Sequence, residues 1–196
     1  MHKYLIIYAH PSHDGHNGYM LKAISKLLEE KSANFKVIDL YKINWNPSLK
    51  DDELYSSNRR AVAPETKALQ EDIKSASRLI FIYPTWWQNM PAILKGFFDR
   101  VFVSLFGFTY KKIIPVGLLK GRRAAAFTTT SGPGLFFLLI GRPSLRLVTR
   151  YILFFCGITS KGFFLAGAKG RNLEKNKLKL DKIAKRIVRY LDKDIK

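Results

Sequence analysis

The sequence predicts an α/β fold of the doubly wound kind, five parallel strands in one sheet with helices on both faces. Three observations carry this expectation. Short apolar runs recur five times along the chain and alternate with stretches whose apolar residues fall at helical spacing. The runs at 3–9 and 79–83 are continuously apolar, as central parallel strands covered on both sides should be. Three of the runs empty into loops of polar, aromatic or glycine-rich character, and the carboxyl ends of strands are where open α/β sheets hold ligands.

In chain order, the strand at 3–9 leads through the loop His10 to Gly18 into a helix over about 17–31, with Met20, Ile24, Leu27 and Leu28 inward. A second strand at 35–40 carries Asp39. An acidic residue there can mimic a ribose-binding carboxylate, but no Gly-x-Gly-x-x-Gly follows the first strand, so Asp39 is read as structural. Residues 43–64 form a long excursion of mixed polarity, with a short helix near 51–56. A helix at 64–76 turns Ala68, Leu69 and Ile73 inward and leads to the third strand, which breaks at Pro84. The next helix starts at Pro91, where the missing N–H costs no intrahelical bond, and puts Ile93, Leu94, Phe97, Phe98, Val101 and Phe102 on one stripe. Residues 104–121 read as a connector and 123–129 as the fourth strand. A helix headed by Pro143 and Ser144 covers 141–157, and 161–167 is the fifth strand. The terminal helix, about 173–192, turns Leu178, Ile183, Ile187, Val188 and Leu191 inward.

At 196 residues the chain fits one domain, 1–196, long enough to bury a core of its own. Its lone cysteine, Cys156, sits in an apolar run and reads as a small buried hydrophobe. The N-terminus passes directly into a strand pattern without the features of a signal peptide, which points to the cytoplasm, and no apolar run is long enough to span a bilayer. Lys and Arg number 34 against 15 Asp and Glu, a formal +19 that attracts polyanions. No helix-turn-helix, zinc-finger or RNP-type pattern accompanies that charge, so no specific nucleic-acid partner is expected. Arg142, Arg146 and Arg150 recur at intervals of four beside the apolar run 135–140. They suit either a wall of the substrate mouth or a peripheral contact with an anionic membrane or an acidic protein.

The three loops carry the chemistry. After the first strand, a helix N-terminus offers unpaired amides and a partial positive charge to a phosphate. There Ser12 supplies a hydroxyl, Gly15 close backbone approach, Asn17 a cap, and His10, His13 and His16 imidazole N–H groups. Three histidines three apart also suit a metal, but structural zinc usually recruits Cys or a further carboxylate ligand and catalytic His sites have their own spacings, so no metal is expected. After the third strand, Pro84, Thr85, Trp86, Trp87, Gln88 and Asn89 form a cradle for a flat heterocycle, the aromatic faces packing on or above it and amides reaching its heteroatoms. The competing reading has the tryptophans plugging the loop against the core; their place at a strand end favours the cradle. After the fourth strand, Thr129, Thr130, Ser131, Gly132 and Gly134 make a hydroxyl- and glycine-rich turn whose successive amides suit an anionic ring edge.

The stretch Tyr83-Pro-Thr-Trp-Trp-Gln-Asn-Met-Pro-Ala-Ile-Leu-Lys-Gly-Phe-Phe-Asp-Arg-Val-Phe102 resembles the flavin-loop signature of the flavodoxin-like NAD(P)H:quinone oxidoreductases, a group that includes ancillary proteins of potassium-efflux systems. Tyr8-Ala-His-Pro-Ser12 and Thr128-Thr-Thr-Ser-Gly-Pro-Gly134 agree with it. The resemblance implies a flavodoxin-like sheet in the order 2-1-3-4-5, with the loops after strands one, three and four meeting at one ligand. It implies bound FMN, or alternatively FAD, with NADPH or NADH as electron donor. The activity implied is a two-electron, ping-pong reduction of quinones or similar flat acceptors by a homodimer. It places His10 and residues 15–17 on the phosphate side and Pro84 to Trp87 beside the flavin ring, with Thr129 to Gly134 at its pyrimidine end. Asn89, Phe108, Tyr110 and Phe137 are the expected substrate mouth. The chain departs from the pattern after Gly134. The best-known quinone reductases follow this turn with a Tyr and a His that assist hydride transfer, and residues 135–140 contain neither. A second reading therefore stands beside the first: a regulatory flavoprotein whose basic face binds an ion-channel domain or membrane surface, with redox activity secondary.

Overall fold

The computed structural model describes residues 3–54, 62–169 and 172–193. Five strands, β1 (Tyr4–Tyr8), β2 (Phe35–Asp39), β3 (Arg78–Pro84), β6 (Arg123–Thr130) and β7 (Thr159–Ala166), form one parallel sheet in the order β2-β1-β3-β6-β7. Counting only the strands of this sheet, that is the expected 2-1-3-4-5 order. A separate antiparallel hairpin joins β4 (Phe108–Lys111) to β5 (Ile114–Gly117). The connector expected at 104–121 is thus partly strand. Its turn, with Lys112 at φ 59°, lacks the Asn-Gly or Asp-Gly pair that would have marked a hairpin in the sequence.

Successive residues of a strand point to opposite faces, so each central strand feeds two cores. Leu5, Ile7, Leu79, Phe81 and Tyr83 pack toward α2 (Pro64–Ser75), α3 (Ala92–Val101) and the segment around Leu145, Val148 and Leu153. Tyr4, Ile6, Tyr8, Ile80 and Ile82 pack toward α1 (His16–Glu29) and α6 (Leu173–Leu191). Two expected inward residues face out. Ala68 and Leu178 are exposed, and the buried stripes run instead through Thr66, Leu69, Gln70 and Ile73 in α2 and through Asn176, Leu180, Ala184, Ile187, Val188 and Leu191 in α6. Polar members kept these stripes from reading clearly. Gln70, for example, is buried because its Nε2 donates to the Val101 carbonyl at 3.0 Å.

Pro91 stands one residue before α3, as its N-cap, rather than inside the first turn. The helix expected over 141–157 is broken into pieces: a short α4 (Gly134–Leu139) comes first, then α5 (Pro143–Arg146) running into a π-helical segment, Leu147–Leu153. Gly141 (φ 79°) and Arg142 (φ 53°) make the left-handed turn that separates α4 from α5. Within the long excursion the described helix is a 3₁₀ turn, Asp51–Glu53; residues 55 and 56 lie outside the described residues.

That excursion is clamped to α3 rather than free. The guanidinium of Arg100, 1% exposed, donates to Glu53 at 2.7 Å and Glu65 at 3.1 Å and to the Asn46 carbonyl at 2.7 Å, and stacks over Trp45 at 4.5 Å. Burial raises the Glu53 pKa, but hydrogen bonds from Arg100 and the Lys50 amide outweigh it and hold the carboxyl below its ordinary range. At Gly96 any Cβ would lie 2.1 Å from the Pro47 carbonyl oxygen, so only glycine lets α3 seat this loop.

Candidate cofactor site

The loops after β1, β3 and β6 meet at the carboxyl edge of the sheet and are tied to one another. The Asn17 amide donates to Thr129 Oγ1 at 3.0 Å, joining the first loop to the third. The Thr85 N–H donates to the Thr129 carbonyl at 2.7 Å, joining the second to the third. The His10 and Trp86 rings, with centroids 6.3 Å apart, bring the first loop to the second.

Each loop is also held from within. Tyr8 donates its hydroxyl to the Ser12 carbonyl at 2.7 Å, and the Ser12 N–H lies 3.0 Å from His10 Nδ1. The same Nδ1 lies 2.7 Å from the Ser12 carbonyl oxygen, the shorter of its two contacts and one that places a ring proton on Nδ1, donating within the loop. His13 Nε2 meets Asp39 Oδ2 at 2.6 Å, while Asp39 Oδ1 accepts the Tyr41 and Lys42 amides at 3.1 Å. Asp39 is therefore structural, as expected, and braces the first loop through His13. No group of three metal-ligating side chains occurs among the described residues.

His16 corrects an expectation. Its side chain is buried and turned away from the loops: Nε2 accepts the Asn176 side-chain amide at 3.1 Å, and the other nitrogen donates to the Asn172 backbone. Burial pushes its pKa below the ordinary histidine value, despite the opposing Asn172 bond, so the ring is kept neutral and pins α1 to α6. Only the backbone amide of His16, in the first turn of α1, remains in position for an anion. That turn starts at Gly15 without a side-chain cap and without an acidic residue, and a Cβ on Gly15 would meet nothing within 4 Å.

The second loop is the most strained part of the site. Trp86 and Asn89 exchange both backbone hydrogen bonds at 2.9 Å, closing a two-residue turn in which Trp87 (φ 50°) and Gln88 (φ 61°) both adopt left-handed backbone. Asn and Gly favour such a turn; bulky side chains at positive φ cost about 1–3 kcal/mol each. The turn leaves Trp87 100% exposed and Trp86 partly so. Neither plugs the core. Pro84 is buried as the last residue of β3, and Thr85 Oγ1 is engaged at 2.8 Å with both Thr128 Oγ1 and Ser144 Oγ. Both form the floor beneath the loop. Asn89 Oδ1 accepts the Met90 N–H at 2.8 Å, so half of its side chain is spent on the turn.

In the third loop Thr129 and Thr130 are buried, Ser131 is exposed, and the chain from Gly132 is braced against the end of β7 by Gly167 N–H to the Gly132 carbonyl at 3.1 Å. A Cβ on Gly132 would approach only Thr130 Oγ1, at 3.8 Å, so its backbone is open to a ligand, whereas Gly134 packs against Ala166. One buried atom lacks a partner here: Oδ1 of Asn17, an acceptor between two loops with no donor among the described residues. An uncapped helix start, an open glycine backbone and an orphaned acceptor together fit a phosphorylated ligand that carries hydroxyl or N–H donors.

The flavodoxin-like fold model Flavodoxin_2 matches residues 2–191. The chain belongs to the Flavodoxin_2 family. A relative from Rattus norvegicus, NAD(P)H dehydrogenase [quinone] 1, is 31% identical over 156 residues, covering 70% of this chain and 56% of that one. The chain spans 56 to 63% of the length of the first curated relatives it matches, the higher figure against an NAD(P)H oxidoreductase of Haemophilus influenzae at 34% identity over 127 residues, 64% of this chain. Among solved structures, Smu.1420 from Streptococcus mutans UA159 aligns at TM-score 0.82 and 32% identity over 93% of this chain and 98% of that one. An FMN-dependent NADH-azoreductase from Bacillus anthracis, solved with FMN, shares the fold at TM-score 0.77 and 21% identity over 95% and 99%.

In this Flavodoxin_2 chain the expected mouth residues do not gather at the loops. Phe137 is 1% exposed and packs on Phe164 with ring centroids 5.2 Å apart, because it is the inward residue of α4; it lines no mouth. Phe108 and Tyr110 lie in the β4–β5 hairpin and line a groove of about 590 Å³ with Phe102, Leu105, Tyr151 and Phe155, a groove that includes no residue of the three loops. Within one chain this groove is therefore separate from the site the three loops build. Sequence reading missed Ser144, whose hydroxyl meets Thr85 and whose carbonyl accepts the Tyr83 hydroxyl at 3.2 Å. It stands 59 positions from Thr85, and only the fold brings the two together.

Proposed function

We propose that this chain is a flavin-dependent NAD(P)H oxidoreductase that holds FMN at the three loops and passes two electrons to quinones or similar flat acceptors. The observation that carries the reading is the convergence of three cross-tied loops on a buried, unpartnered Asn17 Oδ1 beside an uncapped helix start. When bound, FMN supplies the reversible two-electron redox chemistry. The first-turn amides of α1, with His10 beside them, hold its phosphate, and Asn17 Oδ1 accepts a hydroxyl of its sugar chain. The open backbone at Gly132 faces the polar ring edge, and Trp86 and Trp87 wall the acceptor space and exclude water. Residues 135–140 offer no acid, so the acceptor takes its proton from solvent. FMN-bound and NAD(P)H-dependent relatives support this assignment.

The same reading makes the chain one flavin-binding domain that works in the cytoplasm as a homodimer. Its hairpin groove, with Tyr110 at the rim, is the surface for a second copy. Its other partner surface is anionic lipid. The test is an absorption spectrum of the flavin-reconstituted protein, identification of the released cofactor, and anaerobic addition of NADPH or NADH. Bleaching of the flavin band followed by recovery on adding menadione is expected. Tight FMN binding with no reduction by either nucleotide would overturn the enzyme reading in favour of a regulatory flavoprotein.

A further inference from the structure

One stretch of the molecule combines exposed apolar surface with unopposed positive charge. Residues 134–141 contain only Gly, Leu, Phe and Ile, and of the six central ones all but Phe137 are exposed, Leu139 to 76%. Monomeric proteins rarely present such a run to water. Directly after it, Arg142, Arg146 and Arg150 are exposed at intervals of four, and Phe154, next in the same register, is 75% exposed. None of the three arginines has an acidic partner among the described residues. The sequence explains why: from residue 101 to residue 173 there is no Asp or Glu, against eleven Lys and Arg.

From this we infer that α4 and the arginine face behind it form a docking surface for a bilayer bearing anionic headgroups. The apolar tip enters the acyl boundary while Arg142, Arg146 and Arg150 engage headgroup phosphates and carboxylates. A protein partner would meet a rim of hydrogen-bonding groups. This tip offers no polar side chain at all, and its flank carries cations and no carboxylate. The surface also lies at a useful place. Gly134 follows the β6 turn and packs on Ala166 at the end of β7, so the tip stands at the same sheet edge as the three loops, with exposed Lys169 beyond β7. On the oxidoreductase reading, docking turns the acceptor space toward the membrane, and the acceptors it serves are lipid-soluble quinones.

The test is co-sedimentation of the full FMN-loaded chain with vesicles of phosphatidylcholine alone and of phosphatidylcholine with phosphatidylglycerol, at low and high salt. Binding to the anionic vesicles only, weakened by salt, is expected. The pair Leu135→Ser with Leu139→Ser should lower it at least about tenfold, and each of Arg142→Gln, Arg146→Gln and Arg150→Gln about fivefold at low salt. FMN content and the urea unfolding midpoint should stay unchanged, which separates loss of docking from loss of fold. No binding to anionic vesicles overturns the inference. So does binding that the leucine pair leaves intact, since the lysines of α6 would then explain it. A leucine pair that changes only the oligomeric state likewise overturns it and assigns α4 to the contact between copies. Sedimentation does not depend on flavin reduction, so this inference and the enzyme reading can fail separately.

Discussion

The first hundred residues and the seventy-three that follow handle charge in opposite ways. In the first region the buried and half-buried carboxylates form structural ion pairs. Glu53 and Glu65 hold Arg100, Asp39 holds His13, and Asp72 holds Lys36 at 2.7 Å, so the cofactor loops after β1 and β3 rest on a framework fixed by ion pairs. In the second region no carboxylate exists. Its cations either take backbone carbonyls, as Arg122 does from Ile73 and Lys74, or lie over rings, as Arg123 does over Tyr190, or face solvent, as Arg142, Arg146 and Arg150 do. The difference teaches that a net charge of +19 is a regional property: neutralised where the fold needs clamps, left bare where the surface faces outward.

The sharpest way to break this comparison is at Arg100. Replacing it with Ala leaves Glu53, 7% exposed, buried without its cation and removes the stack on Trp45. The expected loss is about 3–5 kcal/mol, read from urea unfolding. A loss below about 1 kcal/mol would show that the excursion is not anchored there. The pH dependence has a definite sign. The folded pKa of Glu53 lies below its ordinary 4.5, so its stabilising effect is fully present above that pH and is lost as pH falls through the folded value. Unfolding midpoints of the parent and of Glu53→Gln should therefore differ at neutral pH and converge in acid; parallel curves would remove Glu53 from the account.

At the cofactor loops a smaller effect is expected, with a different signature. Asn17→Ala removes both the tie to Thr129 and the orphaned acceptor. Deleting a buried group that is only half satisfied costs little, so flavin-free stability should change by about 1 kcal/mol or less. The FMN dissociation constant should rise about tenfold in a fluorescence titration, and an unchanged dissociation constant would remove Asn17 from the site.

The sequence announced the sheet because parallel strands buried on both faces leave continuous apolar runs, and it announced the three loops because their residue types are rare at strand ends. It did not announce what depends on distant partners. His16 looked like a phosphate ligand from its neighbours in the loop, and only α6, 160 positions away, shows that its ring is already engaged by Asn176. Ser144 looked like a helix cap and serves as the partner of Thr85. Phe108 and Tyr110 were legible as aromatics near a helix end, but the hairpin that carries them away from the loops turns on Lys112, a residue without turn chemistry. The break of 141–157 into α5 and a π-helical segment has no signal in apolar spacing, since both forms bury much the same side chains.

The smallest expected effect is the most informative about the loops themselves, because it carries the opposite sign. Trp87 and Gln88 hold left-handed backbone in a turn that Asn-Gly would adopt without strain. Trp87 is fully exposed, so removing it forfeits no packing. The pair Trp87→Asn with Gln88→Gly should therefore raise the urea midpoint, by about 1 kcal/mol in stability, while on the proposed oxidoreductase reading acceptor turnover falls with the loss of the aromatic wall. In the clamped framework every substitution is expected to destabilise; at this turn the fold should gain what the site loses. A destabilised pair would mean that the indole packs on something outside the free chain, and the turn would then be set by a partner rather than by the ring it walls.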